Sequence, residues 1–195
     1  MARQARGFTM LEVLVAILVV TLGLLGLAGL QTVGLRNNTS SAQRTIATQL
    51  AYDMADRMRA NAASVLVGDY DWRNYGASPG ADGRNSASPA VPPAPAGATT
   101  ANCMTLTGCT SQQLAYEDIW EWNQQICAQL PQTTACTSAG PWGIVCLDST
   151  PNDGTPAAPA CDGLAGSPYV IKLWWIEDRT NPALPLKQWV TTFVP

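Results

Sequence analysis

Histidine is absent from all 195 residues. Its absence removes the commonest general base and the commonest metal ligand together. Charge is scarce as well: Asp, Glu, Lys and Arg make up 13% of the chain, against 47% apolar residues. The signs are unevenly spread. From position 62 onward there are five Lys/Arg and eleven Asp/Glu, a formal charge of −6. Nucleic acids are bound by clustered cations that displace counterions, so this acidic stretch has no footprint for DNA or RNA. The first hundred residues lack cysteine. No Cys-x-x-Cys pair occurs anywhere, and without histidine either, a structural zinc site is not expected. No phosphate-binding Gly-Lys loop, nucleophile elbow or metalloprotease motif is present. The chain reads as a non-enzyme with no cofactor and no metal.

What is present begins with Met1–Gly7, MARQARG, a short hydrophilic leader with two arginines. Phe8–Leu30 follows, and from Val13 to Leu30 there are 18 residues with Thr21 as the only polar one. About 17–25 such residues in a helix cross a hydrocarbon core of about 30 Å. The arginines hold the leader in the cytoplasm and send the rest of the chain out. Hydropathy alone admits a plain signal anchor, or a secretory signal peptide cut at the small-x-small run Gly26-Leu27-Ala28. Both leave Glu12 without a purpose, although a carboxylate within a span costs about 2–3 kcal/mol unless paired or held at the interface.

The segment GFTMLEVLVAILVV, Gly7 onward, closely resembles the class III leader signature of type IV pilins and type II secretion pseudopilins. The resemblance implies that a dedicated prepilin peptidase/N-methyltransferase cuts after Gly7 and methylates the new N-terminus at Phe8. Glu12 becomes the fifth mature residue. Its carboxylate would pair with the amino group of a neighbouring subunit, a contact that sets register because either charge is expensive alone in a low dielectric. The competing role for Glu12 is a hydrogen bond to its own helix N-terminus.

The helix is expected to run on from about 11 to 61, roughly 75 Å at 1.5 Å per residue. Ile46, Leu50, Met54 and Met58 recur every four residues, flanked by Ala47, Ala51 and Ala55, which makes one apolar stripe. Arg44, Thr48, Asp53 and Arg57 fall largely elsewhere, Asp53 and Arg57 being spaced for an i,i+4 pair. Gly23, Gly26, Gly29 and Gly34 fit either close packing of helices on a small-residue face or a stretch that loosens, since each Gly costs about 1 kcal/mol against Ala. The expected organisation is a cleaved leader (1–7), a transmembrane and filament-core half of the helix (8–30), an amphipathic half (31–61) and a periplasmic head (62–195).

Within the head, residues 76–102 are rich in Gly, Ala, Pro and Ser and read as an exposed loop. A second helix is expected at about 110–130, with Thr110 and Gln113 as a capping box and Pro131 as its stop. Ala115, Ile119, Trp122, Ile126 and Leu130 share one face, and Glu117, Asp118 and Glu121 are expected on a solvated acidic one. Strands are expected at 143–147, 169–177 and 188–194, the second (YVIKLWWIE) with at least one covered face. A long helix on a small antiparallel sheet is an α+β arrangement, and the pilin resemblance implies the same fold.

The six cysteines suit an oxidising compartment. Sequence cannot select their pairing, but chain proximity favours Cys103–Cys109, Cys127–Cys136 and Cys146–Cys161. Each such loop adds roughly 2–3 kcal/mol in the chain-entropy model. Asp148, Asn152, Asp153 and Asp162 could gather at a calcium ion, yet their spacing is not that of an EF-hand and Pro and Gly mark an ordinary turn.

AYEDIWEWNQQICAQLP, VCLDSTPNDGTPAAPACDG and YVIKLWWIED are similar to segments of the PilV group of minor pilins. That resemblance implies a minor pilin that joins other minor pilins and the major pilin, primes pilus assembly on the inner-membrane assembly platform and sits near the tip. Motility and adhesion would depend on it indirectly. The protein would lie in the inner membrane before assembly and in the surface pilus after it. Two rivals stand: an I-type minor pseudopilin of type II secretion, and a signal-anchored periplasmic binding module that never polymerises.

Overall fold

The computed structural model describes residue 7 and residues 9–73, 103, 108–132, 142–177, 181 and 185–194. Phe8, Cys136 and the expected loop 76–102 lie outside them. The first element is helix α1, Met10–Ala60. After it come a short α2, Ala62–Val67, then α3, Ser111–Gln129, and three strands: β1 Gly143–Leu147, β2 Tyr169–Trp175 and β3 Lys187–Phe193. The strands form one antiparallel sheet in the order β1-β2-β3. With two described disulfides, the fold is α+β and pilin-like. Chain contacts divide it into two units, Met1–Ala42 and Gln43–Pro195.

From Met10 onward the first unit is helix with its side chains outward. From Met10 to Leu35 every residue is exposed, including Leu14, Ile17, Leu22, Leu25 and Leu30. Its threonines do not reach outward for partners: the hydroxyls of Thr21, Thr32 and Thr39 donate to the carbonyls of Leu18, Ala28 and Leu35 at 2.9, 3.0 and 2.9 Å. Such back-bonding satisfies a polar group inside its own helix, as an apolar surrounding requires.

The second unit holds the core. The stripe of α1 is buried as its spacing predicts, with its first member Ile46 only partly covered: Ala47, Leu50, Ala51, Met54, Ala55 and Met58 are at most 4% exposed. Against it lies α3, whose Trp122 is fully buried and donates its indole N–H to the Leu50 carbonyl at 2.8 Å. The capping box closes as expected, with the Gln113 N–H donating to Thr110 Oγ1 and the Thr110 N–H to Gln113 Oε1. Pro131 follows the C-cap residue Leu130.

β1 approaches α3 so closely that a Cβ at Gly143 would collide with Ile126 and Trp122. Asn123 finishes this contact by exchanging two hydrogen bonds of 3.1 Å with the Gly143 backbone. β2 is buried along its whole length. Its Tyr169 hydroxyl donates to the Val65 carbonyl at 2.8 Å, tying the sheet to α2.

Two expectations for the head change. The six-residue α2 was not expected; Gly68, at φ +86°, ends it in the left-handed conformation that glycine tolerates best. The acidic face of α3 is not solvated. Glu117 and Asp118 are 5% and 8% exposed. Arg57 of α1 reaches across to Asp118 and Glu121 at 3.1 and 3.0 Å while holding Asp53 at 3.0 Å. The Tyr70 hydroxyl donates to Asp118 at 2.6 Å, and Asn61 donates to Tyr70 and to the Ser111 carbonyl. Helical spacing separates faces but says nothing of a cation supplied from another helix.

Cys103–Cys109 and Cys146–Cys161 are disulfides, as chain proximity favoured. Cys127 is disulfide-bonded too, and the expected partner Cys136 lies outside the described residues.

Candidate functional site

The start of α1 is built by Thr9. The Glu12 N–H donates to Thr9 Oγ1 at 3.2 Å and to the Thr9 carbonyl at 3.1 Å, so Thr9 serves as N-cap and Glu12 stands at the third helical position. This is a Thr-x-x-Glu pattern with the hydroxyl half of a capping box closed. The other half is open: the Glu12 carboxylate is exposed and touches no polar partner among the described residues. The first-turn position still favours a negative charge through the helix dipole. Gly7 is exposed and precedes the cap in non-helical backbone.

Beyond Glu12 the apolar surface is continuous. The helix is long and apolar enough to cross a membrane, and none of its most apolar stretch is buried. Gly23, Gly26, Gly29 and Gly34 stay helical, and a Cβ at any of them would meet nothing within 4 Å. So no contact among the described residues explains these glycines, which leaves open both close packing of another helix and a stretch that loosens.

In the head the described titratable groups with shifted pKa values include several packed into the contact of α1 and α3. Burial raises the Asp118 carboxyl above the usual range, opposed by hydrogen bonds from Tyr70 and Arg57. Burial likewise raises Glu117, with the negative charges of Glu121 and Asp118 adding to it, and its Oε1 has no hydrogen-bond partner among the described residues. Tyr70 is raised by burial and then by the hydrogen bond to Asp118. Burial pushes Tyr169 up to about 12. Cys146, Asp148 and Cys161 cluster with metal-ligand proximity, but the two sulfurs are joined in a disulfide and offer no thiolates.

Comparison with known proteins agrees with the N-terminal geometry. Residues 2–28 match the prokaryotic N-terminal methylation motif. No curated protein and no solved structure matches the chain. The matched residues enclose Gly7, Phe8 and Glu12, and the motif supports a class III prepilin-type protein of the type IV pilin and pseudopilin kind. A leader of this type implies processing by the prepilin peptidase, membrane anchoring and assembly as a structural subunit.

Proposed function

We propose that the chain is a minor pilin of the type IV pilus. The peptidase removes residues 1–7 by cutting after Gly7, and the amino group of Phe8 is methylated. The span that follows anchors the subunit in the inner membrane with its disulfide-bonded head in the periplasm. Assembly moves the subunit from lipid into a filament, where helices pack in the core and heads lie outside. The reading assigns it other minor pilins and the major pilin as neighbours, a priming role on the inner-membrane assembly platform and a place near the tip. It assigns no catalytic residue.

The observation that carries this reading is the methylation motif joined to a Glu12 carboxylate with no polar partner among the described residues, at the head of an exposed apolar helix. A carboxylate there is costly in an apolar surrounding until a cation meets it, and the new amino terminus of a neighbour supplies one. Exposed apolar surface of this extent outside a bilayer calls for other subunits. The segments similar to the PilV group favour the pilus over the I-type pseudopilus.

Glu12→Ala tests the assembly role. Membrane insertion should persist, while the amount found in sheared pilus fractions should fall about tenfold or more, the effect of losing an ion pair worth over about 1.4 kcal/mol. Undiminished incorporation of the variant would remove Glu12 from assembly and favour the non-polymerising module.

A further inference from the structure

The central strand of the sheet carries a lysine with no access to water. Lys172 is 0% exposed, paired across the sheet with Ile144 and Val190. Its Nζ lies 2.6 Å from Asp148 Oδ2, 2.9 Å from Asp153 Oδ1, 3.1 Å from the Asp153 carbonyl and 2.9 Å from the Pro159 carbonyl. Four oxygens, two of them carboxylate, thus surround one cation. Asp148 is also fully buried, and among the described residues its Oδ2 meets no polar group other than the ammonium.

The loop over β2 is shaped to deliver these oxygens. Gly154 at φ +86° packs so closely on Pro159 that a Cβ would strike the carbonyl aimed at Lys172. A Thr155–Ala158 bridge and the Cys146–Cys161 disulfide close the turn. Asp148 Oδ1 is held by the Thr150 N–H at 2.9 Å, and Gln188 donates to the Asp153 carbonyl at 3.1 Å. The oxygens are therefore held by the loop itself as well as by the lysine.

We propose that the 148–162 loop is an oxygen cage for a cation, filled in this chain by the Lys172 ammonium, and that removing the ammonium leaves a calcium site. Charge and size both point to a divalent ion. Two carboxylates around one ammonium leave a surplus negative charge, which a divalent ion would cancel. Calcium takes oxygen ligands at about 2.3–2.6 Å, mixing carboxylates, carbonyls and water. The oxygens here need to close in by only a few tenths of an ångström on average, and water can take the space of the lysine stem.

The test compares full-length wild type and Lys172→Ala in detergent, with calcium chloride or with EGTA, by thermal unfolding followed through tryptophan fluorescence. The wild-type midpoint should move by less than about 1 °C between the two conditions, since its cage is filled. Lys172→Ala should unfold at lower temperature in EGTA and regain about 5 °C or more in millimolar calcium. Adding Asp148→Ala to it should abolish that gain. If Lys172→Ala is recovered folded only when calcium is present during extraction, that also supports the cage. A Lys172→Ala midpoint that calcium does not move, failure to fold with and without calcium, or equal stabilisation of the wild type would each overturn it.

Discussion

The two units of this chain obey opposite rules with the same helix. In Met1–Ala42, leucine and valine lie in the open and threonines turn back on their own backbone. In Gln43–Pro195, the apolar stripe is buried, and Arg57 and Lys172 draw carboxylates in from other segments. The difference teaches which solvent each part is made for. The first suits lipid or neighbouring helices, where hydrogen bonds must be internal. The second folds as a water-exposed domain does, by burying apolar area and pairing what polar groups it buries.

Substitutions can sharpen this contrast. The largest effect on head stability is expected from Trp122→Ala, which empties the centre of the α1–α3 contact and orphans the Leu50 carbonyl. It should cost about 3–5 kcal/mol in denaturant unfolding of the full chain in detergent. Leu50→Ala, in the buried stripe, should cost about 2–4 kcal/mol by the same measure. Glu117→Gln should act in the other direction. An acid raised in the folded state contributes stability that is full below its unfolded pKa and lost as pH rises through the folded one. The neutral amide carries no such loss, so the variant should melt about 2 °C higher than wild type on the alkaline side of that titration and show a flatter decline as pH rises. The smallest effect belongs to Leu24→Ala in the first unit, expected within about 0.5 kcal/mol of wild type for head unfolding. A loss there comparable to that of Leu50→Ala would break the division between the units.

Much of this was legible before any coordinates. The α1 stripe, the capping box of α3 and all three strands follow from local periodicity and end signals, which is where sequence patterns carry most information. Strand bounds moved by at most two residues, as at Trp175 where 177 was expected. Two disulfides followed from nearness along the chain. What stayed hidden was long-range. Asp118 looked solvated because its partners, Arg57 and Tyr70, are 61 and 48 residues away. Lys172 sat unremarked inside YVIKLWW, since nothing local says that a loop will fold over that face of the sheet. At the N-terminus the legibility was of another kind. Gly7, Phe8 and Glu12 were singled out by a motif resemblance, while hydropathy alone admitted two other readings, a signal anchor and a cleaved signal peptide.

The central claim is that residues 8 onward are the mature subunit. Intact mass and N-terminal sequence of the protein recovered from membranes of its host test this directly. The account predicts a chain that starts at Phe8 and carries one added methyl group on its amino terminus. A chain starting at Met1, or at Gly29 after signal-peptidase cleavage, would contradict it.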